Sequence, residues 1–253
     1  MFSMGHAMNT AHEKDHHHGI PGAIALNLGI TLMQVIGGIL SNSLALLSDA
    51  LHNLGDSLSL VMAWFAGKVG RRAADRRLTF GYGRAEVIAA LLNTLLLTGI
   101  TVFLFTEAIH RFSTPEAVRS DLVIVFALAG LVANVGGMLL LRKGSHASIN
   151  VRAAYVHLLG DALSSLAVIA GGIVMHFTEI PWIDPLLTLV IGAYILYQAY
   201  PILKESIGIL MLSAPSHQIV DEVVQALKRL PEIRDVHHVH IWRLDDHAIH
   251  LEA

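Results

Sequence analysis

Six runs of about 20 mostly apolar residues, at roughly 20–40, 44–66, 86–110, 120–141, 153–177 and 183–210, take up most of this chain. Each is long enough to cross the hydrocarbon core of a bilayer as a helix. The pattern leads to the expectation of an α-helical membrane protein with six transmembrane helices. Composition agrees, because 54% of the 253 residues are hydrophobic and 15% are charged, against roughly a quarter charged in a soluble domain. The net charge is only −3 and the basic residues form short clusters between the apolar runs, so there is no nucleic-acid footprint. The absence of cysteine excludes disulfides and thiolate metal sites.

An even number of spans puts both termini on one side. Residues 1–19 are polar and His-rich, with His6, His12, His16, His17 and His18, and contain no signal-peptide core. Lys68, Arg71, Arg72, Arg76, Arg77 and Arg84 cluster after the second run, and Arg142, Lys143 and Arg152 flank the connection after the fourth. By the positive-inside rule both loops, and hence both termini, are expected in the cytoplasm. The opposite face keeps the turn at Ser41–Ser43, the stretch Arg111–Arg119 and the turn at Thr178–Trp182. The expected organisation is a cytoplasmic segment over 1–19, a six-helix membrane domain over 20–212 and the start of a cytoplasmic domain over 213–253. In that last part Ser216–Leu230 carries an apolar stripe of helical period ending at Pro231. Val236–Leu244 alternates as a strand, Asp245 and Asp246 mark a turn, and Ala248–Glu252 reads as its partner. A helix and two strands leave a sheet edge open, so a missing remainder of the domain is expected.

Two stretches inside apolar runs nearly repeat one another: His52-Asn-Leu-Gly-Asp56-Ser-Leu-Ser59 and His157-Leu-Leu-Gly-Asp161-Ala-Leu-Ser164. On a helix, residues at i and i+4 share a face, so each stretch presents an imidazole and a carboxylate to one point. Ionisable groups within a membrane are costly and mark ion pathways or proton relays. Two imidazole nitrogens and two carboxylate oxygens make a four-coordinate set suited to Zn²⁺ and neighbouring divalent ions. Two ionised carboxylates also cancel the charge of the dication, and protons compete with metal for all four ligands, so the same residues supply a metal–proton exchange. A closed shell of four protein ligands points to carriage rather than hydrolysis. A membrane haem protein with His52 and His157 as axial ligands leaves Asp56 and Asp161 unexplained. An intramembrane hydrolase needs an open coordination position and a general base, and neither a His-Glu-x-x-His element nor a spare intramembrane Glu lies near the pairs.

The paired His-x-x-x-Asp elements, the flanking Ser48-Asp49-Ala50-Leu51-His52, the stretch Thr79-Phe80-Gly81-Tyr82-Gly83-Arg84-Ala85-Glu86 and the segment Val239-His240-Ile241-Trp242 together resemble the cation diffusion facilitators. The resemblance covers nearly the whole chain. It implies a six-span homodimer in the lipid bilayer, with a ferredoxin-like cytoplasmic domain. Zinc, or cadmium or cobalt, would leave the cytoplasm in exchange for protons by alternating access. By position it assigns His52, Asp56, His157 and Asp161 to the membrane transport site, with His at the first position favouring zinc. His240 and His250 match positions that bind metal in the cytoplasmic domain of some members. Some members also hold a metal in the loop after the second span through a carboxylate and two His. Here Asp75 is followed by Leu78 and Tyr82 where those His would stand, so that loop site is expected to be absent.

The remaining polar residues carry plainer expectations. Asp49 is turned about 60° from His52 at 3.6 residues per turn and reads as structural or gating rather than as a ligand. Asn53, Asn93 and Asn134 read as hydrogen-bonding glue between helices, and Gly136-Gly137 and Gly171-Gly172 as points of close helix approach. Glu107 and His110 read as interfacial. Strand alternation puts His238 and His240 on one face.

Overall fold

The computed structural model describes residues 19–70, 72–142, 149–245 and 248–253. The His-rich segment before Gly19 and the expected turn residue Asp246 lie outside the described residues. The chain is mostly helical: α1 (Gly19–Ser41), α2 (Leu44–Gly70), α3 (Arg84–Ser113), α4 (Ser120–Leu141), α5 (Ile149–Thr178) and α6 (Ile183–Leu210) precede a short α7 (His217–Lys228) and the strands β1 (His240–Arg243) and β2 (Ile249–Glu252). Four helices among the described residues are long and apolar enough to cross a membrane: α3, α4, Tyr155–Thr178 of α5, and α6. In α1 the described apolar stretch is Asn27–Ser41. α2 carries Ser48, Asp49, His52, Asn53, Asp56, Ser57 and Ser59 within its apolar sequence, which lowers its hydropathy there.

Contacts divide the chain into two units, one of residues up to Ser57 with Thr101–Tyr194, the other of Leu58–Ile100 with Ile195–Ala253. In the first unit α4 packs on α5 and α1. Gly172 lets α5 close on Val123 and Ile124 of α4, and a Cβ at Gly171 would strike Leu187. Gly137 sits tight against Leu158, whereas Gly136 faces open space and is not required for packing, against expectation. Outward-facing apolar side chains are abundant, with Leu140 85% and Phe177 80% exposed. Polar residues such as Gln34, Asp49, Thr188 and Asp184 are instead buried. That inversion suits a hydrocarbon surround and would be costly in water.

The turn joining α1 to α2 anchors this unit. Asn42 adopts φ 57°, a left-handed conformation that Asn tolerates. Its carbonyl and side-chain oxygens accept from Arg111 at 2.7 and 2.9 Å, and its amide donates to Glu116 at 2.9 Å. The same guanidinium pairs with Glu107 at 3.3 Å and Glu116 at 3.1 Å. The amide of Asn42 and then the charge of Arg111 hold the Glu116 carboxyl below its usual range. Glu107 thus pairs with Arg111 at this end of α3, and His110 lies exposed beside Thr114. Asp184, from the first turn of α6, caps α2. It accepts from Ser43 Oγ at 2.5 Å, Leu44 N at 2.8 Å and Ala45 N at 3.3 Å, while Ser43 Oγ accepts from Leu46 N at 3.1 Å. These bonds satisfy the amides a helix start leaves open.

In the second unit Asn93 Nδ2 donates to Ser59 Oγ at 2.6 Å, joining α3 to α2. In the loop after α2, Asp75 accepts from Arg77 N, Leu78 N and the Tyr82 hydroxyl at 2.7, 2.8 and 2.7 Å. Leu78 N–H first, and then the Tyr82 hydroxyl, hold the Asp75 carboxyl below its ordinary value. Its oxygens therefore serve the loop itself. Ser216 caps α7, accepting from Ile219 N at 3.2 Å. Ser216→Ala should cost about 1 kcal/mol of local stability, seen as faster hydrogen exchange in the first turn of α7 with β1 and β2 unchanged. β1 and β2 pair antiparallel, Trp242 opposite His250, with their rings stacked at 5.7 Å. The first strand is shorter than expected. His238 has φ 52°, which breaks the extended run, so pairing starts at His240 and the expected common strand face of His238 and His240 does not form.

Candidate metal centre

α2 runs from Leu44 and α5 from Ile149, and the two His–Asp pairs meet where these helices face one another inside the first unit. The members of each pair stand about one helical turn apart, at i and i+4, with Gly55 and Gly160 between them. Asp56 Oδ2 lies 3.7 Å from His52 Nε2 and 3.2 Å from His157 Nε2. Asp161 offers Oδ1 at 3.4 Å to His52 Nε2 and Oδ2 at 3.6 Å to His157 Nε2. Every imidazole thus faces both carboxylates, its own helix's and the other's. One ligand atom each from His52, Asp56 and Asp161 falls within 4.8 Å of the others, the spacing a shared cation needs.

Three of these atoms, His52 Nε2, Asp56 Oδ2 and Asp161 Oδ1, are buried and form no hydrogen bond among the described residues. Buried polar atoms in native structures are nearly always satisfied, so three orphans converging on one point fit an N/O set waiting for a cation. The side chains of His52 and Asp161 are 8% and 5% exposed, those of Asp56 and His157 31% and 39%. The more accessible pair lies toward the carboxy-terminal end of α2 and the amino-terminal end of α5, the ends from which the basic loops leave.

Sequence reasoning passed over one neighbour of this centre. Tyr194 of α6 sets its ring edge-on to His52, centroids 6.3 Å apart, and its hydroxyl would meet a Cβ at Gly160 at 3.0 Å. Asp49 does not join the ligands. Its carboxylate accepts from Ser164 Oγ at 2.6 Å, Ser165 Oγ at 3.0 Å and Gln34 Nε2 at 3.4 Å, and Gln34 Oε1 accepts from Asn53 Nδ2 at 3.5 Å. Asn53 therefore links α2 to α1 as expected, while Asn134 Nδ2 is buried and has no hydrogen-bond partner among the described residues. His240 and His250 are diagonal neighbours on one face of the small sheet, with His240 opposite Glu252, and they form no cluster of three ligands among the described residues. His250 stacks on Trp242 and meets Phe80 edge-on at 5.5 Å.

Residues 22–211 match the family model of the cation efflux transmembrane domain. The chain belongs to the cation efflux family. It is 35% identical over 241 residues to a metal cation efflux system protein of Cupriavidus metallidurans, covering 94% of this chain and 76% of that protein. A zinc transporter of Pectobacterium atrosepticum is 41% identical over 226 residues, covering 88% and 71%. A cadmium, cobalt and zinc/H⁺–K⁺ antiporter of Bacillus subtilis is 35% identical over 218 residues, covering 85% and 70%. As a member of this family the chain is an integral membrane efflux protein and not an enzyme.

Proposed function

We propose that this protein exports Zn²⁺, with Cd²⁺ and Co²⁺ as lesser substrates, from the cytoplasm in exchange for protons, through one tetrahedral site built from His52, Asp56, His157 and Asp161. The observation that carries the reading is the convergence of three buried, unbonded ligand atoms with His157 completing the ring at 3.2 to 3.6 Å. The relatives named as a zinc transporter and as a cadmium, cobalt and zinc antiporter support both the ion and the exchange.

The chemistry follows from charge. With both carboxylates ionised and both imidazoles neutral, a bound dication leaves the site formally uncharged, the one loaded state a low-dielectric setting tolerates well. Without the ion, the two carboxylates face each other across the imidazoles, and protons restore neutrality. Metal and protons are thus alternative occupants, and alternating exposure of the site to the two sides turns competition into antiport. A haem between His52 and His157 would have to displace Asp56 and Asp161, which both bridge the imidazole nitrogens.

In the same reading all six helices α1–α6 span the bilayer, both termini are cytoplasmic, and α7 with β1 and β2 begins a ferredoxin-like domain over residues 213–253 of a homodimer. A structural zinc site using His240 and His250 would draw its other ligands from outside this hairpin. Isothermal titration of purified protein with zinc should give one tight membrane site per chain. That site should disappear when His52, Asp56, His157 and Asp161 are replaced together by Ala. Retention of the tight site in the fourfold variant would refute the assignment.

A further inference from the structure

Asp49 is fully buried and takes no part in the ligand set, yet it links α2 to α5 by accepting from two hydroxyls. On α2 it stands one turn before His52, and on α5 Ser164 and Ser165 stand one turn after Asp161. Because the helices run in opposite directions, both steps lead away from the site toward the same end of the bundle, the end without the basic loops. Exposure changes in the same direction. Asp56 and His157, on the basic-loop side, are 31% and 39% exposed, and His52 and Asp161, next to Asp49, are 8% and 5% exposed. Beyond the clamp Val168 is 0% exposed. The site is therefore open on one side and sealed on the other, and the seal is a carboxylate held by two hydroxyls and an amide.

Resting on the alternating-access reading above, we propose that the Asp49–Ser164–Ser165 clamp is the gate on the far side of the transport site, and that its release is the step that admits the far compartment. A carboxylate suits this work better than an apolar contact. Hydrogen bonds to a charged acceptor are strong when formed, and in an opened, wetted cleft water replaces both hydroxyls at little net cost. The gate can thus be firm in one state and inexpensive to break in the other. Gln34 of α1, which donates to Asp49 and accepts from Asn53, ties the third helix to the same clamp.

The chain contains no cysteine, so Val168→Cys gives a single reporter just beyond the gate. The full-length protein is reconstituted in vesicles and labelled with a membrane-impermeant maleimide from the side opposite the basic loops. Two hydroxyl–carboxylate bonds lost in Ser164→Ala/Ser165→Ala should raise the labelling rate about tenfold or more. Asp49→Asn, which keeps an acceptor oxygen but loses the charge, should give a smaller rise. Zinc affinity by titration should stay close to the parent's in Ser164→Ala/Ser165→Ala, which removes neither a ligand nor a charge. Unchanged labelling in both variants overturns the proposal. So does faster labelling accompanied by loss of the zinc site, which would make the clamp a part of the site's scaffold rather than a gate. Failure of the parent itself to bind one zinc through the four ligands would count against the transport reading alone, and it shows in a different measurement.

Discussion

Asp161→Ala should abolish zinc-driven proton movement in reconstituted vesicles. Asp161 is the least exposed of the four proposed ligands and places one oxygen against each imidazole, 3.4 and 3.6 Å away. Its removal deprives the site of a ligand, and it also leaves a loaded site with a formal charge of +1 inside the bilayer. Even the milder scales put such a charge near 3 kcal/mol at a membrane's centre, which corresponds to more than a hundredfold in affinity. Both the titration and the transport assay should register the loss. Asp161→Glu retains the charge at the wrong reach and should recover binding before it recovers transport, because moving the ion requires all four ligands in register. Transport at the parent rate in Asp161→Ala would sink the assignment of this site.

The largest effect on stability is expected at a residue far from the metal. Asp184→Ala leaves Leu44 N, Ala45 N and the Ser43 hydroxyl without their shared acceptor, and Asp184 and Ser43 are both fully buried. Each orphaned buried donor costs about 1 to 3 kcal/mol, so a loss of at least about 3 kcal/mol is expected after water reaches part of the gap. Thermal unfolding in detergent should shift downward by several degrees, with zinc affinity in the surviving folded protein little changed. Asp184→Asn, which keeps one acceptor oxygen, should fall between the two. A parent-like melting curve for Asp184→Ala would show that α2 is held at its start by packing alone.

Much of this arrangement was legible because it is local. The i, i+4 spacing of His52 with Asp56 and of His157 with Asp161 fixes each half of the site within one turn of helix, and antiparallel spans bring the halves together. Asp49 could be separated from the ligands by its register alone. Its partners could not be read, since Ser164 and Ser165 lie more than a hundred residues away and look like any other small polar residues in an apolar run. Asp184 and Arg111 escaped for the same reason, because the groups they satisfy are backbone amides and carbonyls at a distant turn, which leave no mark in the sequence. The late start of the expected strand traces to one backbone angle at His238, which alternation does not encode. Tyr194 looked like an ordinary aromatic of α6, and only its distance from His52 distinguishes it.

The turn at Asn42 also has a consequence for how the molecule is assembled as it is made. Its bonding partners arrive in sequence along the chain: Arg111 at the end of α3, Glu116 in the following loop, and finally Asp184, 140 residues after Leu44. Until the sixth helix enters the bilayer, the start of α2 keeps open amides that lipid cannot satisfy. A nascent chain halted before residue 184 would carry both His–Asp pairs on α2 and α5 yet leave Leu44 N and Ala45 N without the acceptor that Asp184 provides. α6 thus completes a turn laid down some 140 residues earlier, and the start of α2 is fully bonded only once that helix is in place.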